Sequence, residues 1–277
     1  MKKGISIWSF DTGVTFGTGN LDNVFALAKK AGFDGVELAL AEVGDINLNT
    51  TKEDMEKIKA LADKHGIELY SIASGLYWDY PLTSNDPAVA EKAKSIVKKQ
   101  LELASYIGAD TILVVPGLVD PATPYDVAYE RAFNALKELA PVAEQYGVVI
   151  GVENVWNKML VSPMEMADFV DKIGSKYVGC YFDVGNVVLF SYPEHWIKVL
   201  GNRIKKVHFK DFKASVGTLD GFVDILAGDV NYPAVMDAFK AVGYDNWVTA
   251  EMLPPYTHYP ETIVYNTSNA MDKILGR

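Results

Sequence analysis

The stretch GVVIGVENVWN, residues 147–157, joins a short apolar run to a carboxylate. The run at residues 148–152 is rich in β-branched residues and is preceded by a glycine, which is typical of a buried strand. Glu153 follows at its downstream end, where burial of a carboxylate costs several kcal/mol unless a partner compensates it. The stretch therefore predicts a buried strand whose end carries a paired or functional glutamate.

Three later segments repeat this arrangement of an apolar strand that ends near a side chain able to bind a metal. They are VGCYFDVGN with Asp183, IKKVHFKD with His208 and WVTAEM with Glu251. A lone Asp, Glu or His in such a position is usually a hydrogen-bonding or core residue. Four of them in comparable positions indicate a shared site instead.

Strand-like and helix-like segments alternate along the chain. Predicted strands cover residues 5–10, 35–40, 68–73, 111–115, 148–153, 177–182, 203–209 and 247–251, and predicted helices cover residues 21–31, 52–65, 87–107, 125–146, 163–173, 193–200, 233–242 and 262–275. Eight βα units in 277 residues match a TIM barrel, whose usual length is about 250 residues. We predict an α/β fold, a single (β/α)8 TIM barrel domain over residues 1–277. The alternative, an open doubly wound sheet, would carry a glycine-rich fingerprint after its first strand, and none is present.

The alternation of side chains along each strand places the four candidates on one face. Each candidate shares a face of its strand with the residue two positions before it. These residues are Gly151 for Glu153, Tyr181 for Asp183, Lys206 for His208 and Thr249 for Glu251. The intervening positions are mostly apolar, as contact with a helical layer requires. In a TIM barrel alternate residues face inward and functional side chains gather at the carboxyl ends of the strands. All four candidates are therefore expected at the barrel mouth.

Three carboxylates and one imidazole form a set of oxygen and nitrogen ligands that suits a divalent metal ion. Mn²⁺ is the expected ion, with Mg²⁺, Co²⁺ and Zn²⁺ as alternatives. Four protein ligands leave two positions of an octahedral ion open, and the adjacent oxygens of an α-hydroxy carbonyl compound fit them. The ion would stabilise the negative charge that develops when the neighbouring C–H bond is deprotonated.

Glutamates can also transfer protons when burial and the field of the metal tune their proton affinity. Glu153 and Glu251, on the fifth and eighth strands, would approach a substrate from different sides. One would remove a proton from carbon, and the other would return one to the opposite face of the enediolate, which gives an epimer. Return of the proton to the neighbouring carbon would instead interconvert an aldose and a ketose.

The segments VENVWN, YFDVGN, VHFKD and AEM resemble the strand-end motifs of the sugar phosphate isomerase/epimerase superfamily, the xylose isomerase-like TIM barrels. Over nearly its whole length the chain resembles the ketose 3-epimerases of the D-tagatose/L-ribulose 5-phosphate type and the hexulose-6-phosphate isomerase-like proteins. The resemblance implies 3-epimerisation of a ketose or ketose phosphate. The metal ligands that it implies are Glu153, Asp183, His208 and Glu251. The two glutamates are also the implied catalytic acid/base pair.

The chain departs from the pattern of the D-tagatose type at two substrate-contacting positions. Those epimerases usually carry a histidine three residues after the metal aspartate and an arginine six residues after the metal histidine. Asn186 and Ala214 stand at these positions here. The implied metal ligands are retained, but the departure leaves the identity of the sugar open. Asn186 can still hydrogen-bond a hydroxyl group.

Further candidate substrate-binding residues lie near these motifs or on inward-facing positions. They are Asn186, Asn157, Lys210, Lys213, Glu37 and Trp8. Glu37, in GVELAL, could bind a sugar hydroxyl or form an ion pair within the barrel. Trp8 could form an apolar wall against the sugar or pack in the core. Either lysine could hold a substrate phosphate as a point charge, with surface solvation as the alternative for Lys213.

The formal net charge of −10 and the composition bear on partners and location. An acidic chain repels a polyanion, so nucleic-acid binding is not expected. No apolar run approaches the ~20 residues of a membrane span, and the initial MKKGISIWSF lacks the features of a signal peptide. We therefore expect a cytoplasmic protein without membrane association. Cys180, the single cysteine, excludes an internal disulfide and is expected to be a small core residue.

The leading hypothesis is a divalent-metal-dependent epimerase or isomerase of a small-molecule sugar or sugar phosphate. Two other classes could use the same barrel. An endonuclease IV-like phosphodiesterase would need several histidine ligands, and the chain has 4 histidines with one in a ligand position. A non-catalytic sugar-binding barrel could keep the metal without proton transfer. A homodimer or homotetramer is a further expectation.

Overall fold

Eight parallel strands close into a barrel in the computed structural model, which describes residues 1–10, 21–252 and 256–277. The strands are β1 (Lys2–Ser6), β2 (Gly35–Leu40), β3 (Glu68–Ser74), β4 (Thr111–Val114), β5 (Val149–Glu153), β6 (Val178–Asp183), β7 (Ile204–Phe209) and β8 (Trp247–Ala250). They follow chain order around the ring, and β8 pairs with β1 to close it.

Helices follow the strands in turn and form the outer layer. They are α1 (Leu21–Ala31), α2 (Lys52–His65), α3 (Pro87–Ile107), α4 (Tyr125–Tyr146), α5 (Pro163–Ile173), α6 (Pro193–Leu200), α7 (Tyr232–Ala241) and α8 (Glu261–Leu275). Among the described residues, none of the helices has the length and apolarity needed to cross a membrane. The predicted (β/α)8 TIM barrel is confirmed.

Local sequence signals define the ends of several helices. The Thr51 hydroxyl accepts a hydrogen bond from Asp54 N at 3.3 Å at the start of α2, and the Asp86 carboxylate accepts one from Ala88 N at 2.8 Å at the start of α3. Gly147 ends α4 with a φ of 67°, a left-handed conformation that glycine adopts at little cost. The stretch that leads into β5 thus begins where the preceding helix must stop.

The first strand lies earlier in the chain than predicted. β1 begins at Lys2, which pairs with Trp247 of β8, and a 3₁₀ turn at Ile7–Ser9 follows it directly. The Ser6 hydroxyl accepts a hydrogen bond from Trp8 N at 3.4 Å in this turn. The prediction of a strand over residues 5–10 is therefore wrong at both ends, because pairing with β8 includes lysines that lack a strand signal.

The interior of the barrel follows the predicted alternation of faces. Tyr181, Lys206 and Thr249, which share faces with the candidate ligands, are buried. A Cβ atom on Gly151 would lie 2.9 Å from Tyr181 Cδ2, so the glycine in β5 makes room for the tyrosine of β6. On the opposite face of β6, Cys180 joins the core, and burial raises the pKa of its thiol to about 12.

Candidate metal centre

The carboxyl ends of β5 to β8 bring four side chains together at the mouth of the barrel. Glu153 and Asp183 are the last residues of β5 and β6. His208 lies near the end of β7, and Glu251 follows β8 directly. The ligand atoms of these four residues all lie within 4.8 Å of one another. Sheet register produces this convergence, because Asp183 pairs with His208 across β6 and β7.

Three polar atoms of this cluster are buried and form no hydrogen bond of regular geometry with the described residues, although the Lys210 ammonium lies close to two of them. They are Asp183 Oδ2, His208 Nδ1 and Glu251 Oε2. His208 Nδ1 lies 2.7 Å from Glu251 Oε2, but without the alignment of a hydrogen bond. Buried polar atoms without partners are costly, and a divalent cation among them would satisfy these acceptors. The set of three carboxylates and one imidazole therefore fits a divalent metal ion.

The two glutamates of the cluster have different electrostatic environments. Burial raises the pKa of Glu153 to about 8, against the opposing effect of Lys210. Burial acts in the same direction on Glu251, but the charges of Lys210 and His208 outweigh it and hold the pKa of Glu251 at about 2. In the metal-free protein Glu153 therefore keeps its proton to a higher pH than Glu251 does. Carboxyl groups whose pKa values are pushed apart are suited to serve as acid and base.

Glu37 lies on the other side of the His208 ring from the cluster. Its Oε1 is 2.9 Å from His208 Nε2, and its Oε2 accepts a hydrogen bond from the Tyr181 hydroxyl. Burial opposes protonation of His208, but the carboxylates of Glu37 and Glu251 raise the pKa of this imidazole well above its ordinary value. Of the two roles considered for Glu37, these contacts are those of an ion pair within the barrel.

Asn186 and Asn157 use their amide groups to hold the loops around the cluster. Asn186 Nδ2 donates to the Asn154 carbonyl at 3.0 Å and lies 3.5 Å from Glu153 Oε1. Asn157 Nδ2 donates to the Gly117 carbonyl at 2.7 Å, and its Oδ1 accepts from the backbone N two residues later at 3.0 Å. Asn186 thus borders the cluster, whereas both ends of the Asn157 amide are bonded to backbone.

Asn154 is a positioning residue that the sequence analysis missed. Its Nδ2 donates to the Asp183 carbonyl at 2.8 Å, and its Oδ1 accepts from Asp183 N at 2.9 Å. These two hydrogen bonds tie the end of β5 to the end of β6 and fix the backbone of Asp183. The sequence signal that could have identified Asn154 is its position as a polar residue directly after Glu153. The structure shows that this side chain is only 3% exposed.

Among the remaining candidates, Lys210 lies at the cluster. Lys210 Nζ lies 3.1 Å from Asp183 Oδ2 and 3.0 Å from Glu251 Oε2. Lys213 has an exposed side chain, as the solvation alternative predicts. Trp8 is partly buried and packs against the core, as the packing alternative predicts.

A short hairpin, Asp211–Phe212 with Phe222–Val223, follows Lys210 directly. The Trp156 ring packs on Phe212 and Phe222, with centroid distances of 5.2 and 5.3 Å. Lys210 Nζ lies 5.6 Å from the centroid of the Phe222 ring, so these aromatic residues border the cluster. The Asp211 carboxylate holds the loop by accepting hydrogen bonds from the backbone N atoms of Phe212, Leu226 and Val230. The sequence analysis did not identify this hairpin.

Comparison with known proteins relates the chain to earlier examples of its fold. A sequence model of a protein family, described as xylose isomerase-like TIM barrel, matches residues 25–268. L-ribulose-5-phosphate 3-epimerase UlaE of Escherichia coli (strain K12) is 25% identical over 231 residues, covering 79% of this chain and 77% of that protein. The crystal structure of a D-tagatose 3-epimerase-like protein superposes with a TM-score of 0.83 at 21% identity, covering 100% of this chain and 97% of that one. A structure of the IOLI protein with a binding zinc atom gives a TM-score of 0.80 at 17% identity, covering 100% and 98%.

Proposed function

The chain belongs to the xylose isomerase-like TIM barrel family, and we propose that it is a divalent-metal-dependent 3-epimerase of a ketose or ketose phosphate. The observation that carries the proposal is the buried cluster of three carboxylates and one imidazole, whose ligand atoms lie within 4.8 Å of one another. Relatives and structural neighbours that are sugar epimerases support an enzyme of this kind.

The four residues of the cluster would hold the metal ion. They are Glu153, Asp183, His208 and Glu251. When bound, a divalent ion polarises a substrate carbonyl and stabilises negative charge on its oxygen. Mn²⁺ is the ion that we propose, because a carboxylate-rich set with one imidazole suits it, and Mg²⁺, Co²⁺ and Zn²⁺ are the alternatives.

Glu153 and Glu251 are the proposed proton carriers. One of the two, as the carboxylate, would take the proton from the carbon next to the carbonyl, and the other, as the carboxylic acid, would give one to the opposite face. They lie at the ends of β5 and β8, with β6 and β7 between them in the ring, so they approach a substrate from different sides. One C–H bond breaks and another forms, and exchange with water or the reverse reaction restores the starting protonation.

Lys210 and Asn186 are the proposed substrate contacts nearest to the reacting carbon. The Lys210 ammonium lies within 3.1 Å of oxygens of two ligand carboxylates. The ammonium is therefore placed to bind a substrate oxygen close to the carbonyl, whereas a terminal phosphate of the substrate would lie several bonds away from the carbonyl. Asn186, 3.5 Å from Glu153 Oε1, would bind a neighbouring hydroxyl.

Proton exchange in D₂O tests the proposal. Protein with Mn²⁺ is incubated with ketoses and ketose phosphates, and deuterium at the carbon next to the carbonyl is followed by NMR. Glu153→Gln and Glu251→Gln should each slow exchange by roughly 10²–10⁴-fold. Glu130→Gln, at an exposed position of α4, is the matched control and should leave the rate unchanged. Tight Mn²⁺ binding without exchange of any sugar would refute the proposal and leave a metal-retaining binding protein.

Aldose–ketose isomerisation is the second candidate, because the same two glutamates could return the proton to the neighbouring carbon. The product distinguishes the two reactions, since one gives an epimeric ketose and the other an aldose. The phosphodiesterase alternative lacks support, because the group of possible metal ligands found among the described residues contains one histidine.

A further inference from the structure

Glu37 reaches across the interior of the barrel to one of the proposed metal ligands. It belongs to β2, is 0% exposed, and has its Oε1 2.9 Å from Nε2 of His208 on β7. Its Oε2 accepts a hydrogen bond from the hydroxyl of Tyr181 on β6. Both oxygens of this buried carboxylate are therefore directed at the wall of the barrel that carries the ligands.

The contact with Glu37 decides which nitrogen of His208 faces the cluster. A carboxylate oxygen accepts hydrogen bonds, so the imidazole donates its Nε2–H to Glu37. Nδ1 lies on the cluster side, 2.7 Å from Glu251 Oε2, 3.8 Å from Asp183 Oδ2 and 3.9 Å from Glu153 Oε1. A metal ion binds the neutral imidazole, so the Nδ1 proton of the charged form would leave when the ion binds, and the lone pair of Nδ1 would then face the ion.

Tyr181 holds Glu37 in this position. Its phenol hydroxyl donates a hydrogen bond to Glu37 Oε2. The same hydroxyl lies 3.3 Å from Ser71 Oγ, and the Tyr181 ring packs edge-on against His208 with 4.7 Å between centroids. Gly151 leaves the space that this ring occupies.

We propose that Glu37, held by Tyr181, is a positioning residue that fixes the ring orientation and the Nε2–H tautomer of His208, so that Nδ1 is presented to the divalent ion. Metal-binding histidines commonly donate their second N–H to a carboxylate, and loss of that partner costs about 10–100-fold in metal affinity. The inference rests on the metal site of the proposed function and is independent of the sugar and of proton transfer. It assigns Glu37 a role other than the sugar contact considered from the sequence.

Three variants and one control separate positioning from general stability. Glu37→Leu removes the acceptor at similar volume, Glu37→Gln keeps a carbonyl acceptor without the charge, and Tyr181→Phe removes the hydroxyl that holds Glu37. Tyr70→Phe is the matched control, because it removes another buried hydroxyl of the interior, which is bonded to Thr249 Oγ1 at 2.8 Å. Isothermal titration calorimetry measures Mn²⁺ affinity, and circular dichroism establishes that each variant is folded.

Glu37→Leu is expected to bind Mn²⁺ about 100-fold more weakly than wild type, and Glu37→Gln about 10-fold more weakly. Tyr181→Phe should show a smaller loss, and Tyr70→Phe none. In Zn²⁺-loaded protein labelled with ¹⁵N-histidine, the wild type should show an Nε2–H signal of His208 protected from exchange with water, and Glu37→Leu should lose that protection. Should Glu37→Leu fail to fold, Glu37→Gln decides the matter.

Wild-type Mn²⁺ affinity in either folded Glu37 variant would overturn the inference, as would equal losses in Tyr181→Phe and Tyr70→Phe. Failure of the proposed function gives a different result. Wild-type protein that catalyses no deuterium exchange would still depend on Glu37 for metal affinity. Conversely, full Mn²⁺ affinity in the Glu37 variants would refute the inference about Glu37 but would not bear on the proposed exchange reaction.

Discussion

Replacement of each glutamate of the metal cluster by glutamine should change the stability of the metal-free protein in opposite directions. Glutamine has nearly the shape of a protonated glutamic acid but does not ionise. The fold raises the pKa of Glu153 to about 8, so it opposes ionisation of this residue. The fold holds the pKa of Glu251 at about 2, so it favours the ionised form there. Two isosteric substitutions at one site therefore have opposite expected signs.

The linkage between pKa and stability gives the magnitudes. For Glu153, stability is highest below the ordinary value of 4.5 and is lost as the pH rises towards about 8, by roughly 3 kcal/mol at pH 7 and roughly 5 kcal/mol at pH 9. For Glu251, the contribution is present above 4.5 and is lost as the pH falls through about 2, and it amounts to roughly 3 kcal/mol at pH 7. At pH 7, Glu153→Gln should stabilise and Glu251→Gln destabilise the metal-free protein by about these amounts.

Urea unfolding followed by circular dichroism, with a chelator present, measures both effects at pH 7 and pH 9. The exposed substitution Glu130→Gln serves as the control and should leave the transition in place. Saturating Mn²⁺ should stabilise wild type most, because an ion that binds only the native state adds its binding free energy and both variants lose a ligand. Shifts of the same sign in the two variants, or a gain for Glu153→Gln that does not grow between pH 7 and pH 9, would refute the reasoning.

Three further substitutions have defined outcomes. Lys210→Met should destabilise the metal-free protein by about 3–5 kcal/mol, because buried carboxylates lose their counter-charge. Mn²⁺ should recover most of this loss in the same urea titration. An unchanged midpoint of unfolding in the metal-free variant would contradict the prediction. Asp211→Ala should cost about 3 kcal/mol, since three backbone hydrogen bonds of roughly 1 kcal/mol each are lost, and limited proteolysis should cut the loop faster than in wild type. Gly151→Ala should weaken Mn²⁺ binding measured by calorimetry, because its Cβ would lie 2.9 Å from Cδ2 of Tyr181, which holds Glu37. Unaltered affinity would show that the Tyr181 ring can shift without affecting the site.

The barrel and its metal cluster are predictable because they depend on periodicity within short segments. Alternation of apolar residues identifies the strands, and the same alternation assigns Glu153 and its three counterparts to the inner face. Parallel strands in one ring then bring their carboxyl ends together without information about long-range contacts. Strand register adds only the final adjustment, such as the pairing of Asp183 with His208.

The features that the sequence does not reveal depend on partners far along the chain. Glu37 meets His208 171 positions later, so local pattern cannot decide between a sugar contact and an interior ion pair. The start of β1 is stabilised by Lys3, whose Nζ lies 2.5 Å from Asp272 Oδ1, 269 positions away. Lys210 and Lys213 are both candidate phosphate contacts in the sequence, but Lys210 is buried and Lys213 exposed in the structure, because the hairpin begins between them.

The four proposed ligands all come from the second half of the barrel, whereas Glu37 comes from the first. A chain in which only β5 to β8 have assembled carries every ligand atom but lacks the carboxylate that orients the imidazole. By this inference, tight metal binding also requires β2 in its place between β1 and β3. Metal affinity measured during refolding would therefore report on the docking of β2 as well as on the assembly of β5 to β8.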